Sequence, residues 1–462
     1  MQNNIQYHKW EFRLLLVAIS LAPFYLIFKI AVLDYTPLWL LHGIILIVLF
    51  VFLLIKVLIQ PSNSHNHLIK SDLDKWMMFI FLYFIWQLLF GVMLGSSIKD
   101  VFRLFWQWIV GFFAFFLIKN YLNENRLKLL EKTIITISFI VALFFIIEVV
   151  KVNVLGGKSF FWSLRFFEEG IISSYYINKY EGWASLEWGR YKRLGGPLGA
   201  YPYTQLFISL SFYFLFFKII YLRRNWKTKL LFIISAVATL VTFYRTGFVA
   251  IIVMLSFYFI IASPDKRKYL IKFGSIIISI LLILIITIDE NVRILFKTFF
   301  WDKLIIDTLF KEVPIYYHGD APHIISRNFE LLGDYISWNP LLIFFGSGFG
   351  YHNLSTLNVN SGDLGWTTFF PKVGLFGSFL IFVVLIKLAI IINSINKQVN
   401  NNSYYQCLCV ASFCYIGQCV LSTFHSGALF HSANYIYFFL LIGLISHIEI
   451  ITLNNTNGRK TR

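Results

Sequence analysis

Residues 37–59 read PLWLLHGIILIVLFVFLLIKVLI, an apolar run in which Lys56 is the one charged side chain. A helix needs about 20 consecutive apolar residues to cross the hydrocarbon core of a bilayer. The run therefore predicts a membrane-spanning helix, and similar runs recur along the whole chain. Of all residues, 58% are hydrophobic and 14% are charged. Because about a quarter of the residues in soluble domains are charged, this composition excludes a soluble globular protein. It predicts an all-α polytopic membrane protein.

The apolar runs predict about twelve membrane helices, with a range of about eleven to thirteen, in a single membrane domain that covers residues 1–462. The first run is long and lacks a small-residue cleavage site after it, so it is predicted to be a retained helix rather than a signal peptide. The predicted helices cover residues 12–31, 37–59, 76–95, 101–118, 132–151, 199–221, 228–243, 246–262, 270–288, 367–391, 404–422 and 429–451.

The distribution of lysine and arginine predicts that both termini are cytoplasmic, because cytoplasmic loops retain positive charge during insertion. In this orientation more than half of the 40 Lys and Arg residues lie in cytoplasmic segments. The short external loops hold Lys29, Lys99, Arg103 and Arg245. The net charge of +17 is then explained by topology and by contact with anionic lipid rather than by nucleic-acid binding.

Two predicted external segments, residues 152–198 and residues 289–366, are much longer than the other connections. Long loops on a rigid scaffold usually carry functional residues. We therefore expect the functional site in these two loops, on the non-cytoplasmic side.

The first long loop is dense in aromatic and charged residues. Aromatic rings with a polar edge suit the apolar faces of sugars, which makes Trp183, Trp188 and Tyr191 candidate sugar-binding residues. The alternative is an aromatic belt at the depth of the lipid headgroups, where Trp and Tyr collect in any case.

Three arginines are candidate ligands of a diphosphate. Arg190 and Arg193 precede a Gly- and Pro-rich stretch, residues 194–202, whose position predicts an irregular backbone where the chain enters the membrane. Guanidinium groups hold phosphate oxygens in a bidentate geometry. Arg245 lies between two apolar runs, where an arginine is costly and usually has a partner or a function. The alternative for Arg193 is contact with lipid headgroups.

The second long loop holds two candidate proton acceptors, His352 and Asp363. Asp363 comes shortly before a predicted membrane helix, so we expect its carboxylate at the mouth of a membrane cavity, near the height of Arg193 and Arg245. There it could accept a proton from a sugar hydroxyl while the arginines stabilise a leaving phosphate. The alternative for Asp363 is a helix N-cap or a turn residue.

Two other patterns in the second loop predict no cofactor. A metal site at His318, Asp320 and His323 lacks an evident fourth ligand, so no metal is predicted. Gly346, Gly348 and Gly350 lack the strand-to-helix context of a nucleotide-binding loop and predict a flexible turn.

At these residues the sequence resembles the O-antigen polymerase and O-antigen ligase superfamily of bacterial membrane glycosyltransferases. The resemblance covers most of the chain and is specific at three places: residues 193–202, the turn at Arg245 and the end of the second loop. Ligases of this family end their large loop with a His and a small polar residue, followed after a spacer by Gly-x-x-Gly. Here Asp363 takes the place of the His, before Gly374-Leu-Phe-Gly377. This departure favours a polymerase over a ligase.

The resemblance implies a fold like that of the C superfamily of glycosyltransferases and a place in the bacterial inner membrane. It implies a metal-independent, inverting transfer of a glycan from undecaprenyl diphosphate to a second lipid-linked repeat unit. Arginines would bind the diphosphate, with Asp363 or His352 as the base. The implied partners are the undecaprenyl-diphosphate-linked oligosaccharide, membrane lipids and a chain-length regulator.

Other functions stay open at the level of sequence. They are an O-antigen ligase, a protein O-oligosaccharyltransferase and a flippase or transporter of lipid-linked oligosaccharides. A transporter is expected to have a site near the midplane, often between repeated halves. The sequence shows no such halves, and the long external loops favour an enzyme.

Overall fold

The computed structural model is a bundle of helices packed around a contiguous apolar core. It describes residues 2–24, 41–59, 69–156, 187–188, 191–192, 194–198, 201–222, 225–242, 244–271, 275, 340–349, 365–397, 403–423, 429 and 432–460. The α-helices are α1 (Gln2–Leu21), α2 (Leu41–Ile59), α3 (Asp72–Met93), α4 (Ile98–Tyr121), α5 (Glu124–Val149), α6 (Tyr201–Leu222), α7 (Trp226–Val241), α8 (Arg245–Ile261), α9 (Pro340–Phe345), α10 (Gly365–Lys397), α11 (Ser403–Ser422) and α12 (Ser432–Lys460). A π-helical turn, Val150–Val154, extends α5, and 3-10 turns cover Ala22–Phe24 and Gly196–Leu198. A further helical segment covers residues 264–271.

Seven described helices are long and apolar enough to cross a membrane, which confirms a helical, polytopic membrane protein. Two more apolar stretches, Trp108–Tyr121 and Thr246–Ile261, are shorter. The predicted span at residues 270–288 lies almost entirely outside the described residues, so the count of about twelve stays a prediction. The seven spans are Leu41–Ile59, Asp72–Met93, Glu124–Val154, Pro202–Leu222, Phe369–Ile395, Ser403–Ser422 and Ala433–Thr452.

Several helices begin earlier than their apolar runs predict, because polar caps extend them. α3 starts at Asp72 rather than at residue 76, since Ser71 and Asp74 form a capping box. α5 starts at Glu124 rather than at residue 132, since the Asn123 side chain accepts a hydrogen bond from the Arg126 amide. An apolar run therefore marks the part of a helix in hydrocarbon, whereas the cap sets its end.

A small hairpin interrupts the predicted all-α pattern. Strand β1 (Glu187–Trp188) pairs antiparallel with β2 (Tyr191–Lys192), in a register that aligns Trp188 with Tyr191. Its two-residue strands fall in the first long loop, where the sequence analysis predicted no regular structure. The helical fold class predicted from the sequence is not changed by this short hairpin.

Large apolar side chains cover the outer surface of the bundle as well as its core. On α3, Phe79, Leu82 and Trp86 are about half exposed, whereas Ile80 and Phe84 are buried. A helix that is apolar on all faces fits a lipid environment outside and a packed core inside. The four cysteines are free and buried in α11, as small apolar side chains.

Ion pairs join helix ends on one side of the bundle. Asp74 of α3 pairs with Lys119 of α4 at 2.8 Å, and Glu131 of α5 pairs with Lys218 of α6 at 2.7 Å. Two further pairs are Glu11 with Lys56 and Asp72 with Lys387. We call this the ion-pair end, and we call the opposite end, which carries the turns at residues 94–97 and 194–198, the loop end.

The ion-pair end agrees with the topology predicted from charge. That topology places Lys56, Lys119, Lys218 and Lys387 in one compartment, and the structure places all four at one end of the bundle. Just outside α3, burial and the neighbouring Lys119 ammonium lower the pKa of Lys70 to about 8. The compartment that this end faces stays a prediction.

Candidate functional site at the loop end

Three segments that are distant in sequence lie at the loop end, where contacts through α6 and the end of α11 link them. They are the turn at residues 194–198, the start of α8 at Tyr244–Arg245 and the start of α10 at Trp366. Each segment lies within a few residues of a predicted site residue. Their contacts with α6 and α11 therefore define a candidate site, even where the predicted side chains lie outside the described residues.

The turn at residues 194–198 is packed tightly against α5 and α6. Leu194 and Leu198 are buried, and the Thr204 hydroxyl of α6 donates to the Gly195 carbonyl. Gly196 has a φ of 62°, and a Cβ there would lie 2.7 Å from the Phe145 ring. The Gly and Pro residues thus form a fixed turn directly after Arg193, as the predicted irregular backbone requires.

The start of α8 is tied to both α6 and α11. The Gln205 amide donates to the Tyr244 carbonyl at 3.3 Å, and the Tyr244 hydroxyl donates to the Ser422 carbonyl at 3.0 Å. Gly247 faces Gln205 so closely that a Cβ would lie 1.6 Å from the Gln205 Oε1 atom. Because Tyr244 is fixed in this way, the backbone of Arg245, the first residue of α8, is held beside the first turn of α6.

The start of α10 caps the same end of α11. The Trp366 amide donates to the Thr423 carbonyl at 3.3 Å, and the Trp366 indole donates to the Val420 carbonyl at 2.9 Å. The last carbonyl groups of a helix have no partner within the helix. Here Tyr244 donates to the Ser422 carbonyl, and Trp366 donates to the carbonyls of Val420 and Thr423. The start of α8 and the start of α10 are therefore held at the same end of α11.

The geometry at this end favours a bound anion. The N-termini of α6 and α8 lie side by side, linked by Gln205 and Tyr244. Amide groups in the first turn of a helix carry partial positive charge and point toward a ligand at that end. Arg245 is the first residue of α8, and its side chain lies outside the described part of the chain.

The structure fixes the individual predicted site residues only in part. Arg245 begins α8, and Trp188 and Tyr191 form an aligned pair in the hairpin; of these residues the backbone is described. Five predicted residues lie outside the described residues: Trp183, Arg190, Arg193, His352 and Asp363. Their roles stay predictions. The weaker metal pattern at His318, Asp320 and His323 also lies outside them, and the part of the chain that the structure describes contains no cluster of three metal-ligating side chains.

A break in α10 is a feature that the sequence analysis did not predict. The predicted helix 367–391 was continuous, but Gly374 has a φ of 67° and a ψ of −175°, three residues after Pro371. The carbonyl groups before the break find partners elsewhere. Ser347 donates its amide to the Pro371 carbonyl at 2.8 Å, Gly348 donates to the Lys372 carbonyl at 3.2 Å, and the Tyr83 hydroxyl donates to the Val373 carbonyl at 2.7 Å.

Residues 340–349, which we call the re-entrant segment, supply two of these partners. The Tyr83 hydroxyl also lies 2.7 Å from the Phe345 carbonyl oxygen. The side-chain amide of Gln87 donates to the same carbonyl. Tyr83 lies halfway along the 22 residues of α3, so the re-entrant segment reaches the level of the middle of that span. Irregular backbone at such a depth is tolerated where protein covers its polar groups.

Glycines allow these backbones to approach one another. Gly348 has a φ of 77°, and a Cβ there would lie 2.4 Å from the Gly91 amide nitrogen. Gly346 and Gly374 also have positive φ, and a Cβ on either would collide with the backbone of the opposite segment. The predicted flexible turn at Gly346 and Gly348 is therefore a close-packed contact, and Gly374, the first glycine of the Gly-x-x-Gly motif, has a structural role.

Lys372 is a further residue that the sequence analysis missed. It is half-buried in the apolar span Phe369–Ile395, and its amine has no ion-pair partner among the described residues. The signal was present, since a lysine within a predicted membrane helix is by default a candidate functional residue.

No protein-family model matches this chain, and no curated protein matches its sequence.

Proposed function

We propose that this chain is a polysaccharide repeat-unit polymerase that works at the loop end, on the external face of a bacterial inner membrane. It transfers a glycan from undecaprenyl diphosphate to a second lipid-linked repeat unit. The observation that carries the proposal is a set of contacts that links three separate segments: the turn at residues 194–198 and the start of α8 contact α6, and the starts of α8 and α10 contact the end of α11. These segments adjoin the three places at which the sequence resembles O-antigen polymerases.

The proposed transfer forms one bond and breaks one. The oxygen of an acceptor hydroxyl bonds to the anomeric carbon of the donor glycan, with inversion and without a metal. The bond from that carbon to the diphosphate oxygen breaks, and the diphosphate leaves with the electron pair. Asp363 or His352 accepts the hydroxyl proton as the general base.

The remaining proposed site residues hold the substrate. Arg190, Arg193 and Arg245 bind the diphosphate and stabilise its added charge as it leaves. The N-termini of α6 and α8 support the same charge. The glycan stacks on aromatic side chains of the first long loop, which are Trp183, Trp188 and Tyr191.

The proposed topology has about twelve spans, with both termini and the ion-pair end in the cytoplasm. It is supported by the grouping of four lysines at the ion-pair end. The partners are the lipid-linked oligosaccharide, membrane lipids and a regulator of chain length.

Surface polysaccharide from cells that carry single variants tests this proposal. Arg193→Ala, Arg245→Ala and Asp363→Ala are expected to replace the ladder of long chains on a gel with single repeat units. Lys128→Ala is the matched control, because Lys128 is exposed near the ion-pair end, and it should keep the full ladder. Full-length chains in all three site variants would contradict the proposal. An undecorated core would indicate a ligase or another oligosaccharyltransferase instead.

A flippase for lipid-linked oligosaccharides is a second candidate, favoured by one observation. Asp74 and Lys119 form an ion pair whose side chains are both 0% exposed inside the bundle. Buried ionisable residues in membrane spans often mark transport pathways. Loss of a flippase would remove even single repeat units from the cell surface, whereas loss of a polymerase leaves them. The same gel, run with Asp74→Asn, separates the two functions.

A further inference from the structure

Lys372 is a membrane-embedded lysine without an opposite charge among the described residues. Lys387, on the same helix, pairs with Asp72 at the ion-pair end. The other described ion pairs join α1 with α2, α3 with α4, and α5 with α6. Lys372 belongs to none of them. A lysine within an apolar span usually pairs with another group, and here that group must come from outside the described residues or from a ligand.

Lys372 is not needed to cap the helix break. A cation in the last turn of a helix can stabilise its terminal carbonyl groups. Before Gly374, however, the carbonyls of Pro371, Lys372 and Val373 already accept hydrogen bonds from Ser347, Gly348 and Tyr83. These bonds fix the backbone of Lys372 and leave its amine available for another partner.

The backbone of Lys372 lies in the loop-side half of the membrane, below the lipid headgroups. Fifteen residues separate it from Lys387, which corresponds to about 22 Å along a helix. Lys387 lies at the ion-pair end, and the hydrocarbon core is about 30 Å thick. A lysine side chain at this height reaches the depth at which lipid phosphates lie.

We propose that Lys372 binds a phosphate group carried by a lipid of the loop-side leaflet. Ammonium groups bind phosphate oxygens as compact point charges. Two sources share this chemistry: the diphosphate of a polyprenol-linked substrate and the phosphate of a membrane phospholipid. The first source rests on the proposed function and adds a fourth cation to its diphosphate site, whereas the second does not depend on it.

Ligand-induced thermal stabilisation of the full-length protein in a phosphate-free detergent tests this proposal. The probes are farnesyl diphosphate, phosphatidylglycerol and, as the uncharged control, farnesol. Because a ligand that binds the folded state raises the unfolding temperature, each titration gives a half-saturating concentration. For a phosphate probe, Lys372→Ala and Lys372→Gln should raise that concentration at least about 10-fold. Lys372→Arg should keep it within a few-fold, and Lys128→Ala should leave it unchanged.

The two phosphate probes separate the two sources. A Lys372-dependent response to farnesyl diphosphate assigns the substrate, and a response to phosphatidylglycerol alone assigns a headgroup; both support a phosphate site at Lys372. Unchanged responses to both probes in Lys372→Ala and Lys372→Gln overturn it. If neither variant folds, a second measurement uses the unmodified protein: the rate at which an amine-reactive reagent acylates Lys372. A phosphate bound to the amine must slow this rate. An equal rate with and without both probes overturns the proposal. Binding is measured without transfer, so its outcome is independent of the gel test of the proposed function.

Discussion

The Tyr83 hydroxyl lies 2.7 Å from two carbonyl oxygens of different segments, those of Phe345 in the re-entrant segment and Val373 in α10, which share its single proton. We expect Tyr83→Phe to lower the free energy of unfolding by about 1–3 kcal/mol, because the Val373 carbonyl loses its partner in an apolar environment. The measurement is denaturant unfolding in detergent, followed by tryptophan fluorescence.

Tyr213→Phe is the control for that variant. Tyr213 is fully buried, and its hydroxyl has no hydrogen-bond partner within the described part of the chain. Removal of that hydroxyl should leave stability unchanged within about 0.5 kcal/mol or raise it. An equal loss in both variants would show that the two hydrogen bonds of Tyr83 contribute nothing.

Two glycines with positive φ separate backbone strain from close packing. Gly348 has a φ of 77°, and a Cβ there would lie 2.4 Å from the backbone of Gly91. Gly95 has a φ of 88° and open space around it. We expect Gly95→Ala to cost about 1–2 kcal/mol from backbone strain alone. Gly348→Ala should cost at least about 2 kcal/mol more, since α3 and the re-entrant segment must separate. Similar unfolding midpoints for the two variants would argue against the close contact.

At the scale of elements, two acids in the first turn of α3 have very different surroundings. Asp74 and its partner Lys119 are both 0% exposed, whereas Asp72 and Lys387 are 55% and 36% exposed. Asp74→Asn should cost about 3–5 kcal/mol, because it leaves a buried ammonium without its counter-charge. Asp72→Asn should cost less than about 1 kcal/mol, since solvent screens that pair. Thermal unfolding of the two variants provides the comparison, and equal midpoints would contradict the buried pair.

Sequence predicts the helices well, because lipid requires long apolar runs and these runs are visible in the sequence. It predicts their ends less well, since Ser71 and Asn123 extend helices through polar turns that hydropathy excludes. The break at Gly374 could not be predicted from the span alone. Its carbonyl partners come from Tyr83, Ser347 and Gly348, which no local pattern brings together.

At the scale of the whole molecule, the fold brings the resembling segments to one place. Sequence gave Arg193, Arg245 and Asp363 as candidates but could not show that their segments meet, because contacts across hundreds of residues leave no local pattern. The structure joins the backbones next to them through Thr204, Tyr244 and Trp366. Lys372 is hard to single out from sequence, because the apolar run around it predicts a membrane helix and gives no partner for its charge.

The two ends of the bundle differ in what they offer a ligand. At the ion-pair end, the buried acid Asp74 already has a basic partner, Lys119. At the loop end, the N-termini of α6 and α8 and Lys372, which has no ion-pair partner among the described residues, favour an anion. This difference in electrostatics supports the proposal of a diphosphate site on the loop side.

A ligand-bound map tests the central claim most directly. A cryo-electron microscopy map of the protein with undecaprenyl-diphosphate-linked glycan should show the diphosphate at the loop end, within contact distance of Arg193 and Arg245 and close to the end of α11. A diphosphate at the ion-pair end, or one distant from both arginines, would contradict the account.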